Sequence, residues 1–322
     1  IGLEATGHYS LNLKLFLFEN NYTFMEFNPL LVKEFVKSLT LRKTKTDKVD
    51  ASIICQKLMS VPYKSNSTVF YHNFSIKSLS RLRETLIKQR SKHLVQLTNV
   101  LDVLFPEFKP FFNNHFSSTA LFLLKKYGST KKIANMKDFD SISKNAHGRF
   151  TYSKFTKLKD LAKNTIGKSN ETLEYELKVI LDLYNNINSQ INSIDKQIST
   201  IIKELNPRML SIPGLGEISA ATILSEYGDI KNFSSPNKML AFAGLEPSII
   251  QSGTLENNGK MVKHGSGHLR YAIMNIAMSI LKYSPTFYDY YQKKRSEGKC
   301  HRVALSHVSK KLIRVIYSLE KY

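Results

Sequence analysis

The chain changes its hydrophobic rhythm three times. Over residues 1–60, short apolar runs alternate with helical spacing. Ile1-Gly2-Leu3-Glu4-Ala5-Thr6-Gly7 reads as a strand and its end, and Leu11 to Phe18 is apolar-periodic. Tyr22 to Phe27 reads as a second strand stopped by Asn28-Pro29, and Leu31 to Leu39 as a helix. Thr46 is a good N-cap for a further helix, with Asp47 in its first turn and Val49, Ile53, Ile54 and Leu58 on its apolar face. This alternation predicts an α/β layer. The layer is expected to be partial, because the chain opens without Met on a strand already inside a fold, as the downstream part of a longer product would.

From about Ser75 the rhythm becomes that of a long helix. Leu79, Leu82, Leu86, Leu94, Leu97, Leu101 and Leu104 recur at helical steps until Pro106. A second long helix is predicted over Asn170 to Leu205. Its apolar positions (Leu177, Ile180, Tyr184, Ile187, Ile191, Ile194, Ile198, Ile201 and Leu205) alternate steps of three and four. That alternation is the heptad seam of a coiled coil, whereas a single buried helix would drift toward a 3.6 period and show a wider apolar face. A Lys-rich helical insert, 109–169, is expected to cap the tip of the two helices.

Pro207 breaks the second helix and opens a third unit. Ile212-Pro213-Gly214-Leu215-Gly216 precedes an apolar helix from Ile218 to Tyr227, and further helices cover Leu269 to Leu281 and Val303 to Leu319. The expected organisation is therefore α/β plus all-α. A partial α/β layer occupies 1–72, long antiparallel coiled-coil helices occupy 73–206, and a mostly helical C-terminal domain occupies 207–322.

Composition sharpens the picture. Of 322 residues, 42% are hydrophobic and 11% aromatic, which argues for a folded protein rather than a basic disordered tail. Lys and Arg number 47 against 26 Asp and Glu, a net charge of +21 that points to a polyanion, most simply nucleic acid. Residues 258–322 alone hold 13 Lys and Arg against 3 Asp and Glu. The two cysteines, Cys55 and Cys300, cannot build a disulfide scaffold and have no zinc-ligand spacing. No apolar run approaches the ~18 residues a bilayer requires, and no signal-peptide pattern opens the chain. A cytoplasmic protein is expected, not a secreted or membrane one.

Three places could carry chemistry. Asp47 and Asp50, three apart in a helix turn, project from one face. They read either as a solvated surface pair neutralised by Lys45 and Lys48 or, with Glu4 at a strand end, as hard oxygen ligands for Mg²⁺ or Mn²⁺. Pro213-Gly214-Leu215-Gly216 reads either as a tight packing turn or as a helix-hairpin-helix turn, in which Gly214 and Gly216 let backbone N–H groups approach a phosphate. Ser252, in Ile250-Gln251-Ser252-Gly253-Thr254, is an ordinary loop serine unless a base or metal and nearby cations accompany it. Lys260, Lys263, His264, His268 and Arg270 supply such cations within twenty residues. No GxxxxGK[ST] loop is present, which argues against an NTP-driven motor.

Three stretches, taken in order, resemble the DEDD-type insertion-sequence transposases of the IS110 group. Gly2-Leu3-Glu4-Ala5-Thr6-Gly7-His8-Tyr9 is similar to that family's Glu-Ala-Thr-Gly-x-Tyr strand end. Lys45-Thr46-Asp47-Lys48-Val49-Asp50-Ala51 is similar to its Lys-Thr-Asp-x-x-Asp-Ala segment. The third stretch runs from Ile212-Pro213-Gly214 through Phe242-Ala243-Gly244-Leu245-Glu246-Pro247 to Gln251-Ser252-Gly253 and His268-Leu269-Arg270.

The resemblance implies a RuvC-like domain whose Asp, Glu, Asp, Asp carboxylates bind Mg²⁺, joined through a coiled coil to a C-terminal serine domain. By motif, Glu4, Asp47 and Asp50 match the last three carboxylates, and Ser252 matches the serine that forms a 5′-phosphoserine link to DNA. It further implies a bacterial recombinase, guided in part of the family by an element-encoded bridge RNA and assembled as a dimer or tetramer, with carboxylates and serine from different subunits meeting. Gly214, Gly216, Lys260, Lys263 and Arg270 are the expected nucleic-acid contacts. The first family Asp would lie upstream of Ile1, so the chain reads as N-terminally truncated. Two alternatives use the same features: a RuvC-like nuclease with water as nucleophile, and a catalytically inactive, nucleic-acid-binding remnant.

Overall fold

A computed structural model describes all residues except 6, 8, 40–45, 64–69, 169, 253–254, 264 and 322, and describes 30, 70–73, 247–252 and 255–260 by their backbone alone. Among the described residues the chain is mostly helical, with two small two-stranded sheets, and it divides into two compact units. One comprises Ile1–Ile76, Ile212–Gly214 and Ile223–Tyr322, and the other Lys77–Ser211 and Leu215–Thr222.

The first unit begins with the α/β layer. Strand β1 (Gly2–Glu4), helix α1 (Leu11–Glu19), strand β2 (Met25–Phe27), helix α2 (Pro29–Leu39) and helix α3 (Asp47–Ser60) follow in order. β1 and β2 pair in parallel, Gly2 opposite Met25 and Glu4 opposite Phe27. A parallel pair needs a crossover, which α1 supplies. Gly2 packs closely here: a Cβ would stand 3.2 Å from Ile54 Cγ2, 3.3 Å from Phe27 Cε2 and 3.4 Å from Leu58 Cδ2. Leu3, Leu17 and Phe24 form one small buried cluster, and Phe27, Val32 and Ile53 another. Between α1 and β2, the buried Lys14 ammonium reaches Glu26 at 2.7 Å.

The second unit is built on two 35-residue helices, α4 (Phe70–Leu104), which begins in the first unit, and α10 (Glu171–Leu205). Arg83 bonds Asp195, and Arg90 Nη1 donates to Asn188 Oδ1 at 3.0 Å. Seven residues forward on one helix correspond to seven back on the other, so the two run antiparallel. Between them lie α5 (Phe108–Phe111), α6 (Ser118–Tyr127), α7 (Thr130–Ala134), α8 (Phe139–Asn145) and α9 (Tyr152–Lys163).

Helices α6 to α9 start on caps the sequence supplies: Ser117, Ser129, Asp138 and Thr151 each accept a bond from a first-turn N–H. Their apolar faces join Leu97, Leu101, Leu104, Leu177 and Leu181 in one core containing Phe105, Phe108, Leu123, Ile142 and Leu158. The insert is tied back to the end of α4. Glu107 accepts from Thr165 Oγ1 at 2.6 Å and from the Ile166 N–H at 3.1 Å, and a Cβ on Gly167 would stand 2.2 Å from the Leu104 carbonyl oxygen.

Along α10, Leu177, Ile180, Ile191, Ile194 and Ile198 are buried, Tyr184 and Ile187 are half-buried, and Leu181, outside the heptad positions, is buried as well. At its end the buried position is Ile202 rather than Ile201, and Leu205 is exposed. The final steps are those of a straight 3.6-residue helix, which drifts off a heptad seam by about 20° per repeat.

After the 3₁₀ turn Arg208–Ser211, α11 (Glu217–Tyr227) runs across the boundary between the units. The first unit then continues with α12 (Pro236–Phe242), a hairpin of β3 (Pro247–Ser252) and β4 (Leu255–Met261), α13 (Gly267–Tyr283), α14 (Pro285–Ser296) and α15 (His301–Lys321). α15 buries Ala304, Leu305, Val308, Leu312, Ile313 and Ile316, against which α12, α13 and α14 pack.

Candidate active site

The acidic residues begin at local structure. Thr46 Oγ1 accepts from the Val49 N–H at 3.3 Å and so fixes the first turn of α3, where Asp47 is exposed and Asp50 half-buried. Both carboxylates sit at the positive end of the helix, where negative charge is favoured. Glu4, half-buried, closes β1, the strand that packs on α3 through Gly2, Ile54 and Leu58.

The layer thus holds hard oxygen donors suited to a divalent cation, on two elements in contact. Among the described residues, however, no three His, Cys, Asp or Glu side chains gather closely enough to hold a metal. Glu4, Asp47 and Asp50 share a layer without forming one cluster. Thr6, His8 and Lys45 of the two acidic motifs lie outside the described residues.

At the C-terminal motif the two glycines part company. Gly214 adopts φ +90°, and a Cβ there would stand 3.0 Å from Tyr283 Cδ2 and 3.1 Å from Ile280 Cα. It lets the chain approach α13. Gly216 is exposed, has nothing within 4 Å of its would-be Cβ, and offers its carbonyl to the Ala220 N–H at the start of α11.

Ser252 is the last residue of β3, opposite Leu255 at the tip of the hairpin, and Lys260 lies on β4. Gly253 and His264 lie outside the described residues. The base of the hairpin is held by main-chain bonds: Val262 N–H to the Glu246 carbonyl at 2.8 Å, and Ser266 N–H to the Phe242 carbonyl at 3.1 Å. Two glycines permit this closeness. A Cβ on Gly265 would lie 2.2 Å from the Phe242 carbonyl oxygen, and Gly244 adopts φ +65° with Arg270 Nη1 2.6 Å from its would-be Cβ. Arg270 donates to the Ala243 carbonyl at 3.3 Å, so it braces the hairpin's base, while Lys263 is exposed.

Sequence reasoning missed Glu226 and Ser266. Ser266 caps α13 by accepting from the Leu269 N–H, and its hydroxyl donates to the buried Glu226 carboxylate at 2.8 Å. Ser266 carries the ordinary N-cap signal, a serine immediately before an apolar helix. Glu226, in an apolar helix far along the chain, carries none. Nearby, burial pushes the Tyr227 phenol well above its ordinary value, and its hydroxyl donates to the Met239 carbonyl at 3.0 Å.

Known proteins match the same two regions. The model of the transposase IS116/IS110/IS902 family matches residues 206–292, and the model of a DEDD transposase of IS110 matches residues 1–106. The insertion element IS110 uncharacterized 43.6 kDa protein of Streptomyces coelicolor is 27% identical over 41% of this chain and 33% of its own length. The pilin gene-inverting protein of Moraxella bovis is 28% identical over 40% of the chain and 42% of its own. The transposase for insertion sequence element IS1328 of Yersinia enterocolitica is 22% identical over 78% of the chain and 61% of its own. The matched segments thus span less than two thirds of each of these relatives.

Proposed function

Because this chain belongs to the IS110 family of insertion-sequence transposases, we propose that it cuts and rejoins DNA with the Ser252 hydroxyl as nucleophile. Ser252 Oγ loses its proton and bonds to phosphorus. The P–O3′ bond breaks, and the departing 3′ oxygen takes up a proton, leaving a 3′ hydroxyl and a 5′-phosphoserine. Attack by another strand's 3′ hydroxyl reverses the step, so bond energy is conserved and no nucleotide hydrolysis is needed. What supports this reading is the position of Ser252 at the tip of a hairpin whose base is fixed by Gly265, Arg270 and the Ser266–Glu226 bond.

Glu4, Asp47 and Asp50 are the residues that would hold a divalent cation, Mg²⁺ or Mn²⁺, which when bound supplies polarisation of the phosphate. In this reading residues 1–72 form a RuvC-like layer, 73–206 a coiled coil with its insert, and 207–322 the serine domain. The acidic layer of one copy meets the serine of another in a homo-oligomer. Lys260, Lys263 and the turn at Gly216 contact nucleic-acid backbone, and an element-encoded bridge RNA supplies sequence choice by base pairing. The exposed, unpaired Cys55 and Cys300 suit a reducing bacterial cytoplasm.

The test co-expresses the protein with flanking element sequence and incubates it with labelled cognate DNA and Mg²⁺. A denaturing gel is expected to show a protein–DNA adduct that Ser252→Ala abolishes. Cleavage without an adduct, unchanged by that substitution, would identify a hydrolytic nuclease instead. Binding without cleavage, where an active relative works, would identify a non-catalytic remnant.

A further inference from the structure

α15 carries a second polar face that the serine chemistry does not use. His307, Lys310 and Arg314 recur at helical spacing and line a cleft of about 260 Å³, closed on its other sides by Leu245, Glu246 and Tyr290. Burial, with the Arg314 charge four residues on, holds the Lys310 ammonium below its ordinary value, against an opposing pull from Glu246. Burial and then the charges of Lys310, Lys294 and Lys299 hold the His307 imidazole below its own, with Glu297 opposing. Among the described residues no carboxylate comes within ion-pair distance of Lys310 or Arg314, whereas Lys294 is paired with Glu297 at 2.8 Å. The Tyr290 ring has two ammonium groups over it, Lys311 at 4.6 Å and Lys294 at 5.6 Å from its centre.

Lys310, half-buried, and Arg314, exposed, stand one helical turn apart with no ion-paired carboxylate among the described residues and repel one another. A bound anion relieves that repulsion. We propose that this cleft is a phosphodiester-binding subsite, where Lys310 and Arg314 clasp one backbone phosphate of a nucleic acid against Tyr290. The planar guanidinium fork matches phosphate oxygens and the ammonium adds a point charge. Glu246, which lines the same cleft, disfavours a second negative charge, so the site suits the monoanionic diester over a dianionic phosphomonoester. The surrounding segment, 258–322, holds 13 Lys and Arg against 3 Asp and Glu, an excess that suits a polyanion's seat. The subsite requires only that the chain bind nucleic acid and is independent of Ser252.

The experiment uses the full chain without divalent metal. Fluorescence anisotropy follows binding of 20-nucleotide single-stranded DNA, duplex DNA and hairpin RNA against salt. The Lys310→Gln/Arg314→Gln double variant is expected to bind duplex about eightfold more weakly near 0.1 M salt. The slope of log K against log salt should fall by about 0.9, one phosphate's worth. The probe showing the larger drop identifies the source, DNA or RNA. Independently, NMR of ¹³C-labelled histidine should show the His307 imidazole titrating at higher pH in the wild-type complex than in the free protein.

An unchanged salt slope in the variant, or His307 signals unmoved by a nucleic acid that demonstrably binds, would overturn the subsite. A serine adduct formed over a silent cleft would sink the subsite alone. A responsive cleft without an adduct would sink the serine chemistry alone.

Discussion

Glu226 and Ser266, forty residues apart in sequence, are joined by a 2.8 Å hydrogen bond between a buried carboxylate and the hydroxyl that caps α13. One side chain thereby fixes both the start of a helix and the segment returning from the Ser252 hairpin. Glu226→Ala should cost about 2 kcal/mol, the scale of a bond to a charged group, and Glu226→Gln, which keeps an acceptor, less. Urea denaturation of the three proteins measures both. If the hairpin's base positions the nucleophile, adduct formation should fall in Glu226→Ala even at temperatures where the protein remains folded.

The glycines separate packing from openness. Gly265→Ala drives a Cβ into the Phe242 carbonyl oxygen and should destabilise the protein by roughly 3 kcal/mol, since backbone must move. Gly216→Ala meets nothing within 4 Å and should change stability by no more than about 0.5 kcal/mol. Thermal melts decide this pair. Weaker DNA binding by a normally stable Gly216→Ala protein would support its proposed backbone contact.

Arg83 spans both oxygens of Asp195, from Nε at 2.5 Å and from Nη2 at 3.2 Å, with each side chain largely shielded from water. Such fork geometry exceeds the worth of an ordinary surface pair. Arg83→Ala and Asp195→Ala should each cost about 1.5 kcal/mol. A double-mutant cycle should return about 1 kcal/mol of coupling, and independent additive losses would refute the pairing.

The Glu107 carboxyl is subject to burial, which raises it, but bonds from Thr165 Oγ1 and the Ile166 N–H outweigh that and hold it below the ordinary glutamate value. A carboxylate depressed in the folded state contributes stability above its unfolded value and loses it as pH falls through the folded one. The clasp closing the helical insert should therefore weaken as pH drops below about 4. Glu107→Gln should be less stable at pH 7 and show a flatter stability profile in acid, read from denaturation midpoints between pH 3 and 7.

Legibility in the sequence followed how local each device is. The start of α3 could be read from Thr46 alone, because a cap acts within three residues. The long helices were visible because apolar spacing over many turns leaves little choice. The final turn of α10 was not, since Ile201 and Ile202 are both apolar and only packing selects Ile202.

The β3–β4 hairpin was hidden for a different reason. Leu255–Met261 contains Asn257, Asn258 and Gly259, poor strand formers that read as a loop, and pairing with Ile249 and Ile250 overrides that preference. Ser252 was recognisable by resemblance, yet its place at a strand end rests on this pairing. Arg270 read as a phosphate ligand by its charge, and only the structure reveals its bond to the Ala243 carbonyl.

The Arg83–Asp195 and Arg90–Asn188 rungs, spaced seven residues apart on both helices, make the helix pair an adjustable strut. Seven residues added to α4 alone would misalign every rung beyond the insertion. Seven added to α4 and seven to α10 would keep all rungs and carry the capping helices outward by about 10 Å. Reach can therefore change between relatives by paired heptads while both ends of the strut keep their chemistry.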